Sequence, residues 1–295
     1  MLLTLKNSKA YLQLMRVDRP IGTYLLAWPA LWSLWFASEG FPGWRLLGVF
    51  LAGAFLMRSA GCVINDYADR NIDGSVERTR NRPLPRGEVS AREAIAVFVS
   101  LVLLAASLLL LTNLLTAYMA IGAAVLTAIY PFMKRYTQLP QVVLGMAFSF
   151  SVPMAFAAVN NAVAPEAWLV YCAVVLWVVA YDTYYAMVDR DDDIAIGVKS
   201  TAILFGSADR MAIVWLQAAF ITLMLALGIS SGMGIFYYVG LVFGSFLFIY
   251  QYASTAKRDG ASCFAAFLNN NYVGMAIFIG IALDFFMRSF LASSA

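Results

Sequence analysis

Asn65, Asp69 and Asp73 stand at i, i+4 and i+8 in the run Asn65-Asp66-Tyr67-Ala68-Asp69-Arg70-Asn71-Ile72-Asp73. On a helix each step of four residues advances only about 40°, so these three oxygen-bearing side chains share one face. A second acidic run extends from Asp182 to Asp193. There Asp182, Asp189 and Asp193 share one face if the helix continues, while Asp191 and Asp192 point elsewhere. Carboxylates gathered at this density repel one another unless a cation sits among them. Every candidate ligand is an oxygen, which selects Mg²⁺, Mn²⁺ or Ca²⁺ over zinc or copper. Mg²⁺ typically takes one or two carboxylates and completes its octahedron with water and phosphate. Two such half-sites facing each other describe a clamp for a diphosphate. The competing reading is that the acids only solvate helix ends. It suits Asp66, Asp191 and Asp192 better than Asp69 and Asp73, because acids at a helix C-terminus oppose the macrodipole.

The remaining inventory narrows the chemistry. The chain has no histidine, which removes the commonest general base and transition-metal ligand. Cys62, Cys172 and Cys263 are far apart and form no CxxC pair, so neither a disulfide framework nor a zinc site is indicated. An allylic diphosphate needs neither. It ionises when the negative charge of its leaving group is stabilised, and the carbocation then attacks electron-rich carbon. An apolar cavity would hold the chain and keep water from the cation. Arg58 lies seven residues before Asn65 and therefore on the same face, two turns deeper. A charge inside an apolar span is a functional candidate by default. A guanidinium is well suited to two-point recognition of a carboxylate. Arg58, with Asn65 below it, is thus the candidate reader of an acceptor acid; a structural ion pair to a neighbouring span is the alternative.

The elements that position these residues are membrane spans. The chain is 62% hydrophobic and 13% charged, too apolar for one soluble core. Nine stretches of about the length that crosses a bilayer are expected, near 20–38, 46–66, 94–112, 114–132, 139–159, 166–188, 210–229, 234–252 and 270–290. The first is read as a retained span and not a signal peptide. Of the 20 Lys and Arg, only Arg45 and Arg288 fall outside the N-terminus, the even-numbered loops and their flanks. The positive-inside rule then puts the N-terminus and the long loops in the cytoplasm. The expected fold is an all-α integral membrane bundle with both acidic clusters at its cytoplasmic face. Each cluster is followed by a glycine (Gly74, Gly197) and a basic segment, which suggests pseudo-repeat halves of about 20–132 and 139–290. The Arg-rich stretch 78–92 holds Pro83 and Pro85, so an ordered non-helical loop is expected there. Arg82 is its foremost candidate for contacting a diphosphate, with anionic lipid as the other option. Trp28, Trp32, Trp35 and Phe36 read as a packing or lipid-facing stripe more readily than as a tunnel lining. Asn269, Asn270 and Asn271 open the ninth stretch, as caps or as cavity lining.

Several segments resemble the UbiA family of membrane prenyltransferases, and within it the branch that prenylates 4-hydroxybenzoate. They are MRVDRPIGTYLLAWPALWSLW (15–35), AGCVINDYADRNIDGSVERTRNRPLPRG (60–87), YPFMKRYTQLPQVVLG (130–145), AYDTYYAMVDRDDDIAIGVKSTAILFG (180–206) and NNNYVG (269–274). The resemblance implies a nine-helix bundle around a central cavity under a cytoplasmic cap. It implies Mg²⁺ held through Asn65, Asp69, Asp73, Asp189 and Asp193. It further implies that Lys134 and Tyr130 reach the diphosphate, with Arg70, Arg135 and Lys199 as further members of a cationic rim. The implied reaction joins a polyprenyl chain from polyprenyl diphosphate to 4-hydroxybenzoate ortho to its hydroxyl, as in ubiquinone biosynthesis. The acceptor of the ring proton stays open between an acid such as Asp189 and diphosphate itself. The basic-inside pattern favours a bacterial inner (cytoplasmic) membrane, multi-pass, with the active site facing the cytoplasm; a mitochondrial inner membrane is the alternative. The bilayer is a partner; no nucleic acid and no obligate protein partner are expected. Three other readings compete: prenylation of another acceptor, a transporter of an anionic solute, and a CDP-alcohol phosphotransferase. The last lacks its expected opening, since Asp73-Gly74 is followed by Ser-Val-Glu-Arg. The second would place charge at the midplane, whereas here it clusters at one face.

Overall fold

The computed structural model describes residues 3–70, 79 and 81–294. Asp73, Gly74, Arg78 and Arg80 lie outside the described residues. Among the described residues thirteen α-helices run in the order α1 (Ser8–Leu14), α2 (Ile21–Ser38), α3 (Trp44–Asp69), α4 (Ala91–Leu108), α5 (Leu114–Tyr136), α6 (Pro140–Ser149), α7 (Ser151–Asn160), α8 (Pro165–Val188), α9 (Arg190–Ala195), α10 (Thr201–Phe205), α11 (Asp209–Ser230), α12 (Ile235–Ser254) and α13 (Gly260–Ser294). No strand occurs among the described residues. Some helices begin at a side-chain cap. Ser90 and Glu93 form a reciprocal capping box at α4, and the Asn113 side chain accepts from the Thr116 N–H at α5.

Among the described residues eight helical segments, with α6 and α7 counted as one and α10 joined to α11, are long and apolar enough to cross a membrane. The chain is therefore a multi-pass membrane protein. The first of the nine expected spans, α2, has 18 residues and is not among those eight. Its hydropathy is diluted by Trp28, Trp32 and Trp35, which point inward. Trp32 is fully buried against Trp177 and Phe220 at the centre of the core, and Trp35 packs edge-on to Phe278. The aromatic stripe is thus helix packing. The fifth expected span is interrupted at Phe150, between α6 and α7.

The last helix departs most from expectation. It begins at Gly260, ten residues before the expected start, where Asp259 accepts from the Ser262 N–H and hydroxyl. Asn269, Asn270 and Asn271 therefore lie inside α13 and cap nothing. Asn270 accepts from the Trp177 indole at 2.9 Å, and Asn271 from that of Trp28 at 2.9 Å. Gln251 donates to Asn269 and accepts from Gln217. Polar groups at membrane depth need such partners, because lipid offers none. Where α12 crosses α13, a Cβ on Gly240 would sit 2.9 Å from the Ala276 carbonyl oxygen. Small residues allow this close backbone approach. The outer flanks of α4 and α5 present Leu103, Leu104, Ile121 and Val125 outward.

Candidate active site

One cavity of about 1210 Å³ runs through the bundle. Asp69 and Phe50 both line it, although they are separated by about 28 Å along α3. Its polar end holds the oxygen donors of both acidic clusters: Asn65, Asp66 and Asp69 from α3, and Asp182, Asp189 and Asp193 from the end of α8 and the start of α9. Its far end is walled by apolar side chains such as Val49, Phe50, Leu108 and Met154. Charge at one end and grease at the other follow from α3 itself, whose apolar run is broken in its middle by Arg58 and Ser59 and ends in the acidic residues of its last turns.

The second cluster reaches the cavity by a route the sequence does not reveal. The helix does not continue through it. α8 stops at Val188, Asp189 takes non-helical angles, and α9 restarts at Arg190. Asp189 and Asp193 still line the same cavity as Asp182, and the Asp193 N–H bonds the Asp189 carbonyl at 2.8 Å. Asp191 and Asp192 are not on the cavity wall. The segment that follows is fastened to the mouth of α5. The Lys199 N–H donates to the Lys134 carbonyl at 3.0 Å, and the buried Gln141 side chain accepts from the Thr201 N–H at 3.0 Å.

Cations occupy the polar end unevenly. The Lys134 ammonium donates to Asp69 Oδ2, and both line the cavity. Lys199 and Tyr130 also line it. Arg70 and Arg135 do not, contrary to expectation. Arg70 is exposed, stacks over Tyr67 at 4.3 Å and donates to its carbonyl. Arg135 is exposed and donates to the Ala68 carbonyl at 3.1 Å. Sequence position carries the charge but not the direction of a long side chain. Arg82 does line the cavity, as does Arg16, which sequence reasoning counted only as a topogenic charge. Both reach the buried carboxylate of Asp66.

Arg58 lies deeper, half-buried on the cavity wall. Its guanidinium faces the Phe148 ring at 5.9 Å and rests on Gly22 of α2. A Cβ added at Gly22 would stand 2.1 Å from Arg58 Nε. Among the described residues Arg58 has no carboxylate partner and no hydrogen bond. The alternative of a structural ion pair thus finds no acid among the described residues. Tyr181, also on the wall, has a buried hydroxyl without a hydrogen-bond partner.

Among the described residues no three acidic or cysteine side chains converge on one point. The donors are all oxygen and are divided between two walls. Mg²⁺ needs only one or two protein carboxylates when water and phosphate complete its shell. A divided donor set therefore fits a metal–diphosphate complex and does not fit a closed protein cage.

A membrane bundle with an oxygen-lined polar end opening into a long apolar cavity is the architecture of an enzyme acting on lipid-like anionic substrates. Residues 26–279 match the UbiA prenyltransferase family, and the chain belongs to it. It is 54% identical over 287 residues to the 4-hydroxybenzoate octaprenyltransferase of Aeromonas salmonicida, covering 97% of this chain and 99% of that protein. It is 55% identical over 283 residues to the protein of the same name from Cronobacter sakazakii, covering 96% and 98%. Among solved structures, a UbiA homologue from Aeropyrum pernix superposes with a TM-score of 0.77 at 25% identity, covering 88% of this chain and 97% of that one. A UbiA homologue from Archaeoglobus fulgidus bound to DMAPP and Mg²⁺ superposes with a TM-score of 0.71 at 17% identity, covering 94% and 99%.

Proposed function

We infer that the enzyme transfers a polyprenyl group from polyprenyl diphosphate to carbon 3 of 4-hydroxybenzoate, releasing diphosphate, in ubiquinone biosynthesis. The observation that carries this reading is one cavity that joins two carboxylate clusters to an apolar channel, with the Arg58 guanidinium on its wall. The near-full-length likeness to 4-hydroxybenzoate octaprenyltransferases supports the choice of substrates.

Asn65, Asp69, Asp189 and Asp193, with Asp73, would hold Mg²⁺ at the polar end. Bound there, Mg²⁺ neutralises diphosphate charge and stabilises its departure. Lys134, freed from Asp69, and Lys199 meet the phosphate oxygens, and Tyr130 stands one turn before Lys134. The carbon–oxygen bond to diphosphate breaks, and the diphosphate leaves with the electron pair. The new bond forms from ring carbon 3 to the allylic carbon, and the ring proton then passes to the released diphosphate or to an acid of the second cluster such as Asp189. The apolar channel holds the chain and excludes water, which would otherwise trap the cation. Arg58 binds the acceptor carboxylate about 10 Å deeper along α3 than Asn65; this orients the ring so that carbon 3 faces the allylic carbon. α2 is taken as a ninth span, and the polar end of the cavity faces the cytoplasm across an inner membrane, on the strength of the basic loops. The test is direct. Purified enzyme in detergent receives radiolabelled prenyl diphosphate and 4-hydroxybenzoate, with Mg²⁺ or EDTA. Metal-dependent label in 3-polyprenyl-4-hydroxybenzoate is expected. Consumption of the diphosphate with 4-hydroxybenzoate unlabelled and another acceptor labelled overturns the named substrate.

A further inference from the structure

Tyr181 carries a hydroxyl that its packing does not account for. Its ring meets Trp177 edge-on at 5.3 Å and Phe267 at 5.9 Å, contacts that a phenylalanine would make as well. The residue is 2% exposed, and its hydroxyl has no hydrogen-bond partner among the described residues. A buried hydroxyl left without a partner is costly, and lipid offers none. Yet Tyr181 is on the cavity wall, so a bound molecule can supply what the protein does not. It is also within electrostatic reach of the Arg58 guanidinium. At 1.5 Å per residue, Arg58 lies about 16 Å deeper than Asp69 along α3, and Tyr181 about 12 Å deeper than Asp189 along α8. Tyr181 thus stands nearer the acidic end than Arg58 does, between the guanidinium and the carboxylates.

We propose that the Tyr181 hydroxyl accepts a hydrogen bond from the phenolic hydroxyl of the aromatic acceptor, and that Tyr181 thereby selects acids with a hydroxyl para to the carboxylate. This rests on the reading of Arg58 as the binder of the acceptor carboxylate. Arg58 alone fixes one end of the ring and leaves the other free to swing. A contact at the opposite end, nearer the diphosphate site, sets the tilt of the ring. It presents carbon 3, which adjoins the hydroxyl-bearing carbon, to the allylic carbon. The bond also strengthens during reaction. When carbon 3 attacks, positive charge spreads through the ring onto the hydroxyl oxygen, and its O–H becomes a better donor. Tyr181 then stabilises the transition state more than the bound acceptor. No proton passes to Tyr181 in this step. A site built to bond a hydroxyl rejects analogues that lack one, because its own polar group is then left unpaired.

The test uses the full chain in detergent with prenyl diphosphate and Mg²⁺. It compares 4-hydroxybenzoate as acceptor with benzoate as competitive inhibitor, which keeps the carboxylate and lacks the hydroxyl. Tyr181→Phe keeps the ring and its packing, and a parent-like elution profile checks the fold. It is expected to lower kcat/KM for 4-hydroxybenzoate by about tenfold or more. The benzoate inhibition constant and the prenyl diphosphate KM should stay within about twofold of the parent. Arg58→Ala is expected to weaken both acids, since both carry the carboxylate. An unchanged kcat/KM in Tyr181→Phe overturns the proposal. So does a benzoate constant or a prenyl diphosphate KM that rises in step with the loss, which would make the hydroxyl a prop for the cavity wall. A parent that does not prenylate 4-hydroxybenzoate or is not inhibited by benzoate, or an Arg58→Ala variant that matches the parent with both acids, overturns the underlying reading together with the proposal.

Discussion

Asp66 and Asp209 solve the same problem in opposite directions. Each is a buried carboxylate that meets arginines from separate segments. Asp66 takes Arg16 and Arg82; Asp209 takes Arg190 and Arg258. The first trio lines the cavity, and the second does not. Asp209 instead joins the start of α11 to the residue after Asp189 and to the turn before α13, where Arg258 also donates to the Ser207 carbonyl. One group stands on the wall of the cavity's polar end; the other lies away from the cavity, beside the break between α8 and α9. A shared arrangement of charges thus sits at the candidate site in one place and between helix ends in the other.

The largest effect that separates them is on stability. Asp209→Ala leaves two partly buried guanidiniums without a counter-charge. Removing one partner of a fully buried pair costs about 3–5 kcal/mol, and the partial exposure of Arg190 and Arg258 brings the expected loss to about 2–3 kcal/mol. Thermal melts in detergent should show this, while the prenyl diphosphate KM of the surviving folded enzyme stays near the parent value. A raised KM with an unchanged melt would make Asp209 a ligand-facing group and erase the contrast.

Arg58→Ala sharpens the comparison from the cavity side, because this arginine has no acidic partner among the described residues. An increase of about tenfold or more in KM for 4-hydroxybenzoate is expected, with prenyl diphosphate KM unchanged; steady-state kinetics varying each substrate in turn checks this. Gly22→Ala is the milder version. The added methyl would meet the guanidinium, which must shift, so a rise of a few-fold in acceptor KM alone is expected.

How much of this was legible in the sequence depends on the range of the interaction. The spans and the acidic spacing of α3 are local, and hydropathy and periodicity carried them. The Asp259 cap that starts α13 was also local and readable, as Asp259-Gly260-Ala261-Ser262. The partners of Asn269, Asn270 and Asn271 were not, because their indole and amide partners lie on other helices. The same holds for Arg16. A cation in a polar N-terminus looks topogenic until the fold brings Asp66 to it. The helix break at Asp189 has no proline or glycine to announce it, and Arg70 and Arg135 left the rim because stacking and backbone contacts turned them outward.

The smallest effect concerns the same cap. Hydrogen bonds from the Ser262 N–H and hydroxyl hold the Asp259 carboxyl below the usual carboxylate range. A depressed folded-state value means that the contribution to stability is present above the unfolded value and is lost as pH falls through the folded one. Asp259→Asn should therefore lower the melting temperature slightly at neutral pH, and the difference from the parent should shrink in acid. A constant difference across that range would remove the cap's charge from the account and leave only its hydrogen bonds.

The central claim is that the ends of α3 and α8, about a hundred and twenty residues apart in sequence, act as one diphosphate site. A double-mutant cycle in prenyl transfer tests it most directly. Asp69→Ala and Asp189→Ala are each expected to lower kcat/KM by about a hundredfold or more. The double variant should be little worse than either, because groups that act as a unit are not additive. Losses that multiply in the double variant, or a silent substitution at either position, would contradict a shared site.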